Sequence, residues 1–470
     1  MNDIEKYTIP TGDPFVDIGG YAIEEFSKWT KSSDIMDLIS QVTDIYVDKW
    51  EAKINSFFLN SKITNPSIKM ERKKEETIKY FQSLLENSIE HKIGFCRITG
   101  MKTELYSARR ENSIITGSGS FVNFHHCFES GIMISKEALI RFYFVPFACE
   151  LLQTGVDPNS KYTIIHSNNP NLTKFFARKT VSCNMQNLSS NTSTGVLKSD
   201  CKSPGTTLFR FIDNVMSKKK DTLKDIENSL TLYHFTNFGS SPEIKIYNID
   251  APVFRFYQTM HLIAYKEDWN KFVSQYYNNR KYNGAKWNKE TEKIEWGTKK
   301  EIQEFDKKEY QCWSNRIYTK LMNDQSILRE MKEWYSKERF NFKIVEIYQI
   351  GIRNMKRETI DKINQIADCI LQINDEREIK KVITNLNKAK SGFELRRFIV
   401  QNVVIKNYKK NSEDDPILTV KEYSEYLFSD SEFWSEIRDV LLIAIYQRLH
   451  EKNIKIEIDE ENLEIESDEE

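Results

Sequence analysis

The sequence predicts an α+β protein: a mixed α/β N-terminal body followed by a C-terminal helical bundle. Two observations carry that reading. SLTLYHFTNF (229–238) and EIKIYNI (243–249) alternate apolar and polar residues as paired strands do, whereas from about Glu301 apolar residues recur at helical spacing almost to the end. Helical periodicity also marks parts of the N-terminal half, which makes that half mixed. The expected organisation is a body over 1–340, a bundle over 341–456 and an acidic tail over 457–470.

Taken in order, GDPFVDIGGYAIEEF opens with turn chemistry and enters a helix near Gly20. Residues 34–59 read as an amphipathic helix with Leu38, Ile39, Val42, Ile45 and Tyr46 on one face, and 71–90 as a second helix rich in Lys and Glu. Residues 95–130 are rich in Gly and Ser and read as loops with short strands. SKEALIRFYFVPFACELL reads as a buried helix interrupted near Pro146. KYTIIHS (161–167) reads as a strand, and the polar stretch 184–205 as a long loop of the kind that is either functional or disordered. A helix is expected over 206–219, then a hairpin turning at 239–242. Residues 276–300, rich in Lys, Asn and aromatics, read as a loop or insertion. Gly351 and 411–415 read as breaks in the helical run.

Composition narrows the class. Of the 470 residues, 39% are hydrophobic and 12% aromatic, enough for a packed core and against extensive disorder. The net charge of −1 hides an asymmetry: the last fourteen residues hold nine acids and no base, which leaves 60 acidic and 68 basic residues, a net of +8, for the rest. That balance fits a nucleic-acid partner or, equally, a solvated lysine-rich surface. The cysteines number seven, and none forms a C-x-x-C pair, so no disulfide framework is expected and the compartment is expected to be reducing and cytoplasmic. The N-terminus has no apolar signal region. The apolar run Val440–Tyr446 is far short of the roughly 20 residues a spanning helix needs, so no membrane partner is expected.

Sequence motifs for chemistry are sparse. There is no phosphate-cradling G-x-x-x-x-G-K-[ST], no H-E-x-x-H and no G-x-S-x-G. His125, His126 and Cys127 offer zinc-type donors, with Cys96 or Cys149 as further ligands; the alternative is a packed histidine pair beside an inert thiol. Asp13 and Asp17 are four apart, but Pro14 argues against a shared helical face. Basic residues interleaved with aromatic or amide side chains are more informative, because cations neutralise phosphates, rings stack on bases and amides reach base edges. YYNNRKYNGAKWNK (276–289) holds Arg280, Lys281 and Lys286. NNPNLTKFFARK (168–179) holds Asn168, Asn169, Lys174, Arg178 and Lys179. Lys198 and Lys202 lie in the polar stretch, and Lys218, Lys219 and Lys220 close the following helix. For each, a solvated face remains the alternative to a DNA contact.

Three stretches together resemble the large subunit of subtype I-B CRISPR Cascade complexes. Gly12, Pro14, Phe15, Val16, Asp17 and Gly19 match that family's N-terminal signature. FCRITGMKTEL…GIMISKEALIRFYFVPFACEL keeps the layout of its two C-x-x-C pairs, with Cys96, Thr99, Ser135 and Ala138 at the four ligand positions. Trp434, Arg438, Asp439, Leu441, Leu442, Ile443 and Ala444 match its C-terminal helix. With one cysteine left of four, the region is expected to fold without zinc, held by packing, and no cofactor is expected. The resemblance implies a subunit without catalysis of its own. It would contact guide RNA and other Cascade backbone subunits, read the protospacer-adjacent motif in double-stranded target DNA, help open the duplex and dock a helicase–nuclease. It also implies a small-subunit-like C-terminal domain, with an internally translated small subunit starting near Met355 or Met331. Lys388, Lys390, Arg396, Arg397, Lys406, Lys409 and Lys410 would line its DNA channel. The rival readings are a divergent metal-dependent nuclease and an architectural protein-binding subunit with little DNA contact.

Overall fold

A computed structural model describes residues 4–114, 131–152, 161–218, 227–236, 243–288, 291, 293–298, 301–372, 375–405, 416–428 and 434–454. The chain forms two compact units, one made of Met1–Phe254 and Tyr277–Met322, the other of Arg255–Tyr276 and Asn323–Glu470. The α+β class expected from the sequence holds.

In the first unit, α1 (Pro14–Thr30) starts six residues before Gly20. Asp13 caps it, accepting from the Phe15 and Val16 amides at 3.0 and 2.8 Å, and Pro14 takes the first helical position, where no amide hydrogen is needed. Pro14 thus begins the helix rather than interrupting it. Gly19 and Gly20 are dictated by packing: a Cβ at Gly19 would lie 2.0 Å from the Arg141 carbonyl oxygen, and one at Gly20 would lie 2.2 Å from that of Tyr7.

Next, α2 (Ile35–Asp44) continues into one π-helical turn, Ile45–Lys49, and stops there, because Glu51 and Ala52 take the left-handed conformation (φ 51° and 54°). The expected helix over 34–59 is therefore cut short at its C-terminal end. α3 (Met70–Leu85) ends ahead of Asn87, which has φ 55°. β1 (Lys92–Phe95), β2 (Lys102–Ala108) and β3 (Ile132–Ser135) form an antiparallel sheet in that order. α4 (Lys136–Phe144) follows and tightens into a 3-10 turn, Val145–Ala148, around Pro146, as the sequence suggests.

A five-stranded sheet comes next. Its strands are β4 (Glu150–Leu151), β5 (Tyr162–Ser167), β6 (Leu197–Lys198), β7 (Leu230–Thr236) and β8 (Glu243–Ile249), in the order β6-β4-β5-β7-β8. All pairings are antiparallel except the parallel β4–β6 pair. α5 (Pro170–Ser189) and α6 (Pro204–Lys218) lie between its strands in sequence. The stretch 184–205 is a loop over 190–203, as expected, apart from the two residues of β6; its ends belong to α5 and α6. The buried Asn184 is tied to the end of the preceding 3-10 turn, its Nδ2 donating to the Phe147 carbonyl at 2.9 Å.

The chain then enters α7 (Ala251–Met260) and α8 (Ile263–Ser274) and returns to the first unit with β9 (Tyr277–Asn278). The expected loop over 276–300 is mostly sheet: β10 (Lys286–Asn288), β11 (Lys293–Thr298) and β12 (Glu301–Phe305) pair antiparallel. The reason is a small core of Ile294, Phe305 and Trp313, against which Tyr277, Tyr282, Trp296 and Tyr310 pack. Helical structure accordingly resumes only at α9 (Lys307–Tyr310), followed by β13 (Ser314–Asn315), which pairs with β9, and α10 (Arg316–Met322).

In the second unit, α11 (Leu328–Tyr335), α12 (Phe342–Gly351), α13 (Arg357–Ile370), α14 (Glu376–Asn387) and α15 (Gly392–Ile399) pack against α16 (Trp434–Glu451). Residues Val440 to Ile445 of α16 are fully buried, as its all-round apolar character predicts. Its polar flank is tied down by Lys332–Asp439 at 3.0 Å and Arg353–Glu436 at 2.9 Å. This unit begins at Asn323, ahead of the expected 341, and includes Arg255–Tyr276, because Phe256 packs on Trp269 and Tyr348 at 5.2 and 5.7 Å.

Candidate nucleic-acid interface

Cys96, Thr99 and Ser135, three of the four positions set against C-x-x-C ligands above, come together in the first unit. Cys96 follows β1, and its amide donates to the Met101 carbonyl at 2.9 Å; the amide of Gly100, at φ 68°, donates back to the Cys96 carbonyl at 2.8 Å. That turn places the Thr99 hydroxyl and the Ile98 and Thr99 amides on the sulfur. The Ser135 amide arrives from β3 and donates to Sγ at 3.4 Å, while the Ser135 hydroxyl caps α4 by accepting from the Ala138 amide at 3.3 Å. Burial raises the Cys96 thiol, but these donors outweigh it and hold its pKa below the ordinary value. Hydrogen bonds to one sulfur, in addition to the expected packing, therefore hold the two strand ends together. Among the described residues, no three His, Cys, Asp or Glu side chains cluster closely enough to hold a metal ion. His125, His126 and Cys127 lie outside the described residues.

On α5 the sequence-selected cations face carboxylates. Lys174 pairs with Glu24 at 2.7 Å, Arg178 with Glu25 at 3.6 Å and Lys179 with Glu150 at 3.2 Å. The carboxylate of Glu150 is only 6% exposed. Burial lowers the Lys179 ammonium, yet Glu150 raises its pKa above the ordinary lysine value. Asn168 and Asn169 are also engaged. Asn168 donates to the Glu227 carbonyl at 2.6 Å and accepts from the Ser229 amide at 2.8 Å. Asn169 caps α5 through the Asn171 amide at 3.1 Å and donates to Asn228 at 2.9 Å. Their amides anchor α5 to the start of β7 and have little left for a base edge.

Lys198, Lys202 and Lys218 are exposed in the first unit, as are Arg280 and Lys281, whose ammonium lies 5.2 Å from the Tyr282 ring centre. Lys286 belongs to β10, and Lys219 and Lys220 lie outside the described residues. Tyr277 and Tyr282 serve the small core around Trp313 rather than an open stacking platform.

The second unit differs. Ser391 caps α15 by accepting from the Glu394 amide at 3.2 Å, and Glu394 accepts from the Lys390 amide at 2.6 Å. Leu395, Phe398 and Ile399 turn inward, which leaves Arg396 and Arg397 outward beside Lys388 and Lys390. No carboxylate pairs with any of these four among the described residues. Arg396 sits 4.9 Å from the Phe428 ring centre, and Phe393, between the lysines and arginines, is 74% exposed. Unpaired cations around an exposed ring can hold phosphates and stack a base. Lys406, Lys409 and Lys410 lie outside the described residues.

A family model, the DevT C-terminal domain, matches residues 331–470, less than a third of the chain. No curated protein matches the chain. The matched stretch contains the α15 cations and α16.

Sequence reasoning missed one concave site in the first unit, a cavity of about 350 Å³ walled by Phe58, Tyr80, Phe81 and Tyr143, with Thr77 and Arg109 in its lining. Thr77 is 5% exposed, and its hydroxyl has no partner among the described residues. These residues come from separated segments, so no local motif announces them.

Proposed function

We propose that this chain is the large subunit of a subtype I-B-like, RNA-guided CRISPR Cascade complex. In this reading it recognises the protospacer-adjacent motif in duplex DNA, helps open the duplex and docks a separate helicase–nuclease in the cytoplasm. The observation that carries the reading is the convergence at Cys96. Thr99 and Ser135, from two pairs of positions about 40 residues apart singled out by resemblance alone, meet around the Cys96 sulfur. That supports a family architecture whose metal ligands have been replaced by hydrogen-bonding residues. Gly19 and Asp17 of the N-terminal signature are likewise structural: the Asp17 carboxylate gathers the Thr11 and Gly12 amides at 2.7 and 3.0 Å, turning the chain into α1.

The division of labour fits the distribution of charge. Guide RNA reads the target by pairing, and the protein supplies backbone contacts that offset the cost of separating the strands. The α15 corner, with Lys388, Lys390, Arg396, Arg397 and Phe393, is suited to a displaced or paired strand. The test is co-purification of the tagged chain with the products of its neighbouring genes. Recovery of a guide-sized RNA with several backbone proteins is the expected result. A chain that elutes alone and free of RNA overturns the reading. DNA cleavage by the isolated chain that depends on added divalent metal would favour a nuclease instead.

A further inference from the structure

Two of the cysteines meet in the first unit, far apart in sequence and outside the interface above. Cys201 lies between β6 and α6, and Cys312 between α9 and β13. The Lys202 amide donates to the Cys312 carbonyl at 3.2 Å, and the Thr206 hydroxyl donates to the Trp313 carbonyl at 2.7 Å, so the two segments run side by side. The Arg210 guanidinium on α6 bridges the two sulfurs, with Nη1 2.7 Å from Cys312 Sγ and 3.8 Å from Cys201 Sγ, and the two thiols shift each other's pKa. They are 5% and 6% exposed, yet Asp200, Lys202 and Ser314 beside them are at the surface, so a small solute has a short way in.

We propose that Cys201 and Cys312 are an oxidation site, a dithiol that a hydroperoxide converts to a disulfide, with Arg210 as the residue that positions and stabilises the attacking thiolate. The chemistry balances within these groups. The Cys312 thiolate attacks the peroxide: an S–O bond forms, the O–O bond breaks, and the departing oxygen leaves as water or alcohol after taking a proton. Cys201 then attacks the Cys312 sulfenic sulfur; the S–S bond forms, the S–OH bond breaks, and hydroxide leaves as water with the Cys201 proton. Two thiols lose two electrons, and one hydroperoxide gains them.

The geometry assigns the roles, because the guanidinium lies closer to Cys312 Sγ, at 2.7 Å, than to Cys201 Sγ, at 3.8 Å. The neighbouring Cys201 thiol lowers the Cys312 pKa most, burial opposes it, and Arg210 lowers it further against the opposing charge of Asp200, so Cys312 is held below the ordinary thiol value. The Cys201 thiol moves upward, first through the neighbouring Cys312 thiol and then through burial, so it keeps its proton and serves as the resolving partner. Tyr277, which also faces Arg210 and Cys201, is pushed up to about 12 by burial and stays neutral. Cys149 is buried, and burial raises its thiol well above the ordinary value.

The test treats the full-length chain with hydrogen peroxide, blocks free thiols and digests it without reduction. The expected product is a single cross-link joining the peptides of Cys201 and Cys312, lighter by two hydrogens and reversed by dithiothreitol. Cys201→Ser should stop at a sulfenic acid on Cys312 that dimedone captures. Arg210→Met should slow oxidation at pH 7 roughly tenfold and move its pH midpoint upward, because the thiolate fraction falls; Arg210→Lys should restore part of both. Circular dichroism on each variant separates a folding failure from a chemical one. With the fold retained, absence of the 201–312 cross-link, or an Arg210→Met variant with an unshifted pH midpoint, overturns the proposal.

Discussion

Helix α5 in the first unit and the α15 corner in the second each present a cluster of lysine and arginine, but their electrostatic work differs. On α5, Lys174, Arg178 and Lys179 each have a carboxylate at 2.7 to 3.6 Å, and two of those carboxylates, on Glu25 and Glu150, are nearly buried. At the α15 corner, Lys388, Lys390, Arg396 and Arg397 have no carboxylate partner among the described residues. A paired cation already has its counter-charge and serves the fold. An unpaired, exposed cation holds only mobile counterions, and their release on binding nucleic acid is favourable. Basic residues in a sequence are therefore ambiguous until the acids they face are known.

The sharpest way to break the comparison is to unseat α1, which carries Glu24 and Glu25. Gly19→Ala drives a Cβ to 2.0 Å from a backbone oxygen that cannot give way, and should cost about 3 kcal/mol or more, the upper range for overpacking. Thermal or urea unfolding should show a large loss of stability. An alanine tolerated without a measurable shift would mean that α1 does not approach α4 as closely as described.

The second test is on binding. Changing Lys388, Lys390, Arg396 and Arg397 together to Gln should make the salt dependence of single-strand binding shallower by about 3 in log–log slope, at about 0.7 for each phosphate no longer neutralised. Stability should move by less than about 0.5 kcal/mol per site, as is usual for exposed side chains. The corresponding change of Lys174, Arg178 and Lys179 should leave the slope nearly intact. If the slopes change in the opposite order, the pairing argument fails and α5 becomes the binding face.

Third, Lys179→Gln should destabilise by about 1–3 kcal/mol, because it strands the nearly buried Glu150 carboxylate. Lys388→Gln, with no partner to strand, should be neutral. Chemical denaturation of the two variants makes the contrast direct.

Much of the fold is legible in the sequence, and the failures share a cause. The hairpin of β7 and β8, strand β5, the interruption at Pro146 and the buried α16 follow from local periodicity, which the chain obeys where one face meets a core. The ends of 184–205 and the stretch 276–300 mislead because their order comes from distant partners. The buried Asn184 donates to the Phe147 carbonyl, and Tyr277 and Tyr282 are drawn in by Phe305 and Trp313. Asp13-Pro14 misleads for a different reason: a cap and a first-turn proline look like a break unless the helix that follows is recognised. Among site residues, the convergence of Cys96 with Ser135 is legible through family resemblance. The Cys201–Cys312–Arg210 group is not, since its members are scattered over more than a hundred residues with no motif between them.

The smallest effect concerns pH, and it tests whether the α5 pairs act as charges. Burial raises the Glu24 carboxyl, but hydrogen bonds from Lys174 and Lys28 outweigh it and hold its pKa below the ordinary 4.5. A depressed carboxylate stabilises the fold above its unfolded value, and that contribution is lost as pH falls through the folded one. Lys174→Gln removes the first of those donors, so the variant should be less stable than the parent by a few tenths of a kcal/mol at pH 7, in keeping with a largely exposed pair. The gap should close as pH falls through the depressed Glu24 pKa, once Glu24 is protonated in both. A gap that persists unchanged at pH 3 would mean that the Lys174 side chain contributes through packing along α1 rather than through its charge. The α15 cations, which have no carboxylate to titrate, should show no such closing in the parallel series with Lys388→Gln.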